Sequence, residues 1–239
     1  MIIQYDGTDF YGWQVQAKGR TVQGDIESAF QTILPNQKIT LIGSGRTDSG
    51  VHAMKQTANI KIDTRLSSDE IRKAINSHLE KDVRIAACEE VDTDFHARFS
   101  ATNRGYQYQT VRDYTPFTRN RAWHLNYEID STMLSECAEM VIGDHDFTAF
   151  CKANAEVEHK RCIVTESKWE KTATGFIYHV AANRFLQHMV RFLVGTMVEV
   201  ARGRMTIDDF KQFMNAKHDS LAVVRAPAMG LYLSEVDYA

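Results

Sequence analysis

The sequence predicts an α+β protein of two ferredoxin-like, split-βαβ domains with antiparallel sheets. Three observations lead there. Short apolar runs alternate with amphipathic stretches of helical spacing. Their order through residue 91 is β-α-β-β-α-β, the split βαβ order. That order restarts after Arg98–Gly105, where few apolar residues occur. The 239 residues therefore divide into domains at 1–100 and 101–239, with a single larger domain as the alternative.

Ile2–Tyr5 reads as the first strand, and the glycine- and aromatic-rich DGTDFYGWQVQAKG after it reads as a loop. Val22, Ile26, Ala29, Phe30 and Ile33 recur at helical spacing, and Pro35 should stop that helix. Ile39–Ile42 suits a short strand, and Val51–Ile62 is extended, with Ala58, Ile60 and Ile62 alternating at its end. Ser67 with Glu70 three residues later is a capping box, opening a helix whose face is Ile71, Ile75 and Leu79. Val83–Val91 completes the first set.

The second set starts with Tyr106–Val111, and Trp123–Tyr127 is an extra strand candidate. Asp130 or Ser131 can cap a helix carrying Leu134, Ala138 and Val141. Arg161–Trp169 and Phe176–Ala181 form a hairpin around Ala173-Thr174-Gly175. Asn183–Val200 reads as a long helix. Thr206 and Asp209 open a shorter one with Phe210, Phe213 and Met214 on one face, and Leu231–Val236 closes the chain as a strand.

Composition excludes more than it identifies. Charged residues at 25% and hydrophobic ones at 44% suit a soluble globular protein and rule out global disorder. A net charge of -3 rules out a histone-like binder but not a local basic cleft. Cys88, Cys137, Cys151 and Cys162 lack the spacing of a zinc site and read as free thiols in a reducing compartment. The N-terminus lacks the regions of a secretion signal, and no apolar run approaches a membrane span. A cytoplasmic location is expected.

The strongest local feature is GSGRTDSGVHA, Gly43–Ala53. It fails as a P-loop because no G-K-[ST] follows. It fails as a dinucleotide turn because Val51-His52-Ala53 opens no amphipathic helix. What remains is a tight glycine-rich loop holding Arg46, Asp48 and His52. By composition it is equally a solvated turn in which Arg46 pairs with Asp48.

This stretch resembles the GRTDxGVHA signature of the tRNA pseudouridine synthase A family. Asp6-Gly7-Thr8 and Gly12-Trp13-Gln14 resemble the family's YDGTxFxGWQ opening. FHARFSA (95–101), the RxYxY pattern of Arg104, Tyr106 and Tyr108, HDFTAF (145–150), ANRFLQHMVRFLVG (182–195) and APAMGLYL (226–233) resemble further family blocks, in order along nearly the whole chain.

The resemblance implies a pseudouridine synthase fold and a reaction, the isomerisation of uridine to pseudouridine at positions 38, 39 and 40 of the tRNA anticodon arm. It implies no cofactor and no metal, tRNA as partner, and a homodimer. Asp48 falls on the family's catalytic aspartate, which either attacks C1′ or takes a proton from C2′. Either role needs an ionised carboxylate, and a neighbouring cation favours the anion. Arg191, an arginine in an otherwise apolar stretch, falls on the family's active-site arginine. The expected Arg191–Asp48 pair bridges the domains and puts the active cleft between them. Arg184, His188, Arg191 and Gly195 would form one helix stripe.

Tyr106 falls on the family's active-site tyrosine, which could stack on uracil and assist loss of the C5 proton. Arg46 is the residue expected to fill the space of the extruded base. Together with Arg46, His52, Arg98, Arg104, Tyr108, Arg184 and His188 make up the expected substrate-binding set. Tyr108 and His52 have supporting, loop-ordering roles as their alternatives.

Phosphate contacts are sought in Arg98, Arg104, Arg112, Arg119 and Arg121, set against Asp113 alone, and in Lys152, Lys160, Arg161, Lys168 and Lys171. The acidic net charge, Gly105 and Gln107 depart from a tRNA binder's basic bias. Two other classes stay open: a synthase acting on other RNA uridines, and a non-catalytic RNA-binding or chaperone module. Trp13 is expected to pack under the catalytic loop, with contact to RNA as the alternative.

Overall fold

The computed structural model describes residues 1–151, 159–215 and 223–239. Lys152 lies outside the described residues. The chain is a mixed α/β protein that divides into two compact units, Met1–Thr102 with Tyr232–Ala239, and Asn103–Leu231.

The first unit carries β1 (Ile2–Tyr5), α1 (Val22–Ile33), β2 (Ile42–Gly43), β3 (His52–Asn59), α2 (Ser68–His78) and β4 (Val83–Ala87). β1 runs antiparallel between β3 and β4, with Ile2 opposite Thr57 and Ile3 opposite Ile85. β2 pairs antiparallel with the far end of β3, Gly43 opposite Ala58. This pairing closes the glycine-rich segment into a hairpin loop. Thr21 caps α1 by accepting from Gly24 N, and Val22, Ile26, Ala29 and Phe30 are buried along one stripe. Burying such a side chain contributes roughly 1.5–3 kcal/mol. The capping box at Ser67 is formed in both directions. β2 is shorter than the predicted Ile39–Ile42 strand, and β4 ends four residues before Val91.

The second unit carries most of β5 (Ala101–Val111), then β6 (Trp123–His124), α3 (Ser131–Glu139), β7 (Gly143–Asp146), β8 (Arg161–Lys171), β9 (Gly175–Ala182), α4 (Met189–Ala201) and α5 (Ile207–Asn215). Its strands run β5-β9-β8-β7, each antiparallel to the next, and β6 lies parallel to β5. α4 packs on α3 and α5 and is buried on almost every side from Leu193 to Ala201. A helix buried and mostly apolar on every side is a core helix. The segment His145–Phe150 supplies the end of β7, a strand the sequence pattern does not announce, and a short turn that buries Phe147 and Phe150, the latter beside Phe210.

β10 (Leu231–Tyr238) closes the chain. It was expected within a 101–239 domain, yet from Tyr232 onward it belongs to the first unit, where Tyr232 and Leu233 run parallel to His52 and Ala53. A parallel neighbour needs a long connection rather than a hairpin, so no local pattern assigns it.

α4 also differs from its prediction. It begins at Met189, not Asn183. Asn183 is still held to β8: its N–H donates to Ile163 O at 3.1 Å and its Oδ1 accepts from Ile163 N at 2.9 Å. His188, at φ 68° and ψ 0°, then turns the chain before the first helical residue. Among the described residues it is the one non-glycine with positive φ.

Candidate active site

The catalytic-loop candidate, residues 44–51, is held from both sides. Ser44 Oγ donates to Gln56 Oε1 at 2.6 Å, and Gln56 Nε2 donates to Gly45 O at 2.9 Å. Gln56 is wholly buried, so its amide fixes the incoming arm of the loop in place of water. At the tip, Thr47 is buried and its hydroxyl pairs with the Tyr5 hydroxyl at 2.8 Å. Thr47 O accepts from Trp13 N at 3.1 Å. Val51 N donates to Asp48 O, and Ser49 Oγ donates to Phe10 O. Asp48 is half-buried between buried Thr47 and buried Val51, while Arg46 is exposed. The loop therefore presents a carboxylate from a backbone with little freedom, which is what a positioned catalytic group requires.

The segment that clamps this loop is the DGTDFYGWQ opening. Gly12 has φ +89°, and a Cβ there would meet Thr47 O at 2.5 Å. Only glycine permits that approach. Trp13 is buried, with its ring 6.2 Å from the Tyr5 ring, so it packs beneath the loop as expected. His52 is buried too. Its Nδ1 accepts from Gly7 N at 3.0 Å and its ring stacks on Tyr232 at 4.6 Å. With its ring enclosed, His52 is placed to order the loop from within, the alternative role read for it.

In the second unit, Tyr106 sits opposite Val180 on β5, half-buried, with its ring edge-on to Phe185 at 5.1 Å. Tyr108 is two residues on and wholly buried, and its hydroxyl donates to Pro227 O at 2.8 Å. Burial pushes its phenol far above the ordinary range, with the Arg191 charge pulling against that rise. The enclosed ring and the bond to Pro227 O fit the supporting role read as the alternative for Tyr108.

Arg191 is half-buried in the first turn of α4. Its Nε donates to Ala226 O at 2.9 Å, and Ala226 N donates back to Arg191 O at 2.9 Å. One turn later, a Cβ on Gly195 would lie 2.1 Å from Val224 O. The segment Val224–Pro227 is thus clasped by α4 and by Tyr108, which orients the guanidinium. A cation in the first turn of a helix opposes the helix dipole. Its presence there calls for anionic or carbonyl partners, and Ala226 O is one.

The predicted four-residue helix stripe is reduced to Arg191 and Gly195, because Arg184 and His188 precede the helix. Arg184 and His188 are half-buried, and the His188 ring is edge-on to Phe192 at 6.2 Å. Arg104 donates from Nη1 to Asn183 O at 2.9 Å. Arg98 is exposed, its guanidinium 5.5 Å from the Phe99 ring. His96 orders that turn by accepting at Nδ1 from Arg98 N and Phe99 N.

Sequence reasoning missed Thr47, Gln56 and Ala226. Gln56 carried a signal: a lone amide among the buried positions His52, Ala53 and Ala58 of one strand. Ala226 carried none, since it acts through its backbone. Among the described residues no group of three or more His, Cys, Asp or Glu is gathered as for a metal ion, and no helix is long and apolar enough to cross a membrane.

A family model described as tRNA pseudouridine synthase matches residues 1–100 and 137–239. The chain is 40% identical over 239 residues to the tRNA pseudouridine synthase A of Bacillus pumilus, covering 99% of this chain and 97% of that one. It is 37% identical over 242 residues to the protein of the same name from Listeria innocua, covering 99% and 97%. The Brachyspira hyodysenteriae protein of that name is 40% identical over 234 residues, covering 96% and 94%.

Proposed function

The chain belongs to the tRNA pseudouridine synthase family and isomerises uridine to pseudouridine in tRNA, and on that premise we propose that it acts at positions 38, 39 and 40 of the anticodon arm. The observation that supports the assignment of chemistry is the clamped loop that carries half-buried Asp48 directly after buried, hydrogen-bonded Thr47.

In this reading the C1′–N1 bond of the target uridine breaks, the uracil turns, and C5 joins C1′. The C5 proton is lost and N1 gains one, so the reaction is a net isomerisation. Asp48 either attacks C1′ or removes the C2′ proton, and both routes need its anion. Arg191 is assigned as the cation that favours that anion in the reacting complex. Tyr106, the half-exposed aromatic of β5, stacks on the uracil and assists departure of the C5 proton. Arg46, the exposed side chain of the loop, fills the space left by the extruded base. Arg98, Arg104, Arg184 and His188 are the proposed RNA contacts. Each unit is read as an elaborated split-βαβ domain, and the protein as a cytoplasmic homodimer that works without metal or nucleotide.

The test is pseudouridine mapping of unmodified tRNA incubated with purified protein, without metal or nucleotide, alongside Asp48→Asn. The expected result is conversion at 38, 39 or 40 by the wild type. Asp48→Asn should lose at least about 10³-fold in kcat while binding tRNA nearly as well. Conversion elsewhere would replace the site assignment. Comparable turnover by Asp48→Asn would remove Asp48 from the mechanism.

A further inference from the structure

The loop between β5 and β6, residues 112–121, leaves two aromatic rings in solvent. Phe117 is 88% exposed and Tyr114 is 61% exposed. A phenylalanine that open contributes almost nothing to burial in the fold. The loop is nevertheless ordered. Thr115 N donates to Thr118 Oγ1 and Thr118 N donates to Thr115 Oγ1, both at 3.2 Å. Arg121 N and Ala122 N both donate to Thr118 O. The Tyr114 ring is edge-on to His124 at 5.9 Å.

The same loop exposes Arg112, Arg119 and Arg121, with Asp113 its sole acidic residue. Arg112 N donates to Thr174 O at 2.8 Å, tying the loop to the β8–β9 turn, which follows Lys171. Exposed arginines interleaved with exposed rings suit unpaired nucleotides: the cations hold phosphates and each ring offers a stacking face to any base. The loop also falls in 101–136, outside the residues that the family model matches.

We propose that this loop is an RNA-contact surface in which Phe117 stacks on an unpaired base of the tRNA substrate while Arg112 and Arg119 hold the flanking phosphates. The inference rests on tRNA being the substrate. A second copy of the chain is the competing occupant. A two-fold contact through this loop would set its arginines against their own symmetry mates, with only Asp113 to offset them.

The experiment measures tRNA Kd across a salt series, kcat and KM for pseudouridine formation, and sedimentation. It compares wild type with Phe117→Ala, Phe117→Trp and Arg119→Gln. Phe117→Ala should raise Kd and KM about tenfold, with the loss in KM rather than kcat, and Phe117→Trp should restore both. Arg119→Gln should make the slope of log Kd against log salt shallower by about 0.7. An unchanged Kd for Phe117→Ala would overturn the proposal. So would a weaker Kd accompanied by a lower sedimenting mass, which would assign the loop to a second copy. A wild type that binds tRNA but forms no pseudouridine would sink the enzymatic reading instead, leaving the Kd comparison to decide the loop.

Discussion

The two units hold their candidate site residues in opposite ways. In the first, Arg46, Thr47 and Asp48 are consecutive, on a loop clamped by Tyr5, Phe10 and Trp13. In the second, Tyr106, Arg191 and Ala226 are far apart in sequence, and regular elements carry the side chains: Tyr106 on β5 and Arg191 on α4. The difference teaches that a loop can be as well positioned as a strand when its backbone groups are bonded to buried partners. A helix residue, in turn, still needs a neighbour to orient its long side chain.

Breaking the second unit should cost the most after loss of Asp48 itself. Arg191→Ala removes the charge and the bond to Ala226, so about 10²-fold in activity and ~1–3 kcal/mol in stability should go, read by kinetics and denaturant melts. Arg191→Lys keeps the charge but loses the planar fork. It should recover only part of the activity, and full recovery would show that orientation by Ala226 does not matter.

Gly195→Ala asks whether the clasp itself counts. Its new Cβ meets Val224 O, so ~1–3 kcal/mol of stability should be lost as the Val224–Pro227 segment shifts. Activity should fall with it, measured below the new melting point. An Ala variant as stable as wild type would show that the segment yields freely.

In the first unit, Thr47→Val tests the clamp while leaving Asp48 in place. Loss of the bond to Tyr5 should cost ~1 kcal/mol. We expect kcat to drop about tenfold with KM unchanged, because a misplaced carboxylate loses rate rather than affinity. A normal kcat would mean the loop is held well enough by Trp13 and Phe10.

The smallest effect is a control away from both sites. Ser67→Ala removes the cap of α2 and should lower the melting temperature by less than Arg191→Ala or Gly195→Ala, with kcat untouched. Bonds from Ser67 hold the Glu70 carboxyl below its ordinary range. A depressed carboxylate stabilises above its unfolded pKa and loses that contribution as pH falls through the folded value. The gap between Ser67→Ala and wild type should therefore narrow in acid. A gap independent of pH would place the effect elsewhere.

Much of this was legible without coordinates. Ser67 and Glu70 announced a helix start because a capping box is satisfied within four residues. The loop at Asp48 was readable for a similar reason, since its glycines and its chemistry are contiguous. The Arg161–Ala182 hairpin was readable because its two strands meet across one turn. Less legible was the start of α4, where helical spacing from Asn183 was overridden by two hydrogen bonds to Ile163 and by the left-handed turn at His188.

The sequence by itself determined most of the element types, the capping box at Ser67, the loop that bears Asp48 and the kinship of the chain. These depend on interactions between near neighbours, which a linear pattern records. Tertiary structure alone decided that β10 joins the first unit and that His52 and Tyr108 are enclosed. It also decided that Thr47 and Gln56 hold the loop and that Ala226 O orients Arg191. Those outcomes depend on which distant backbone and side-chain groups meet once the core is packed, and local spacing carries no record of that meeting.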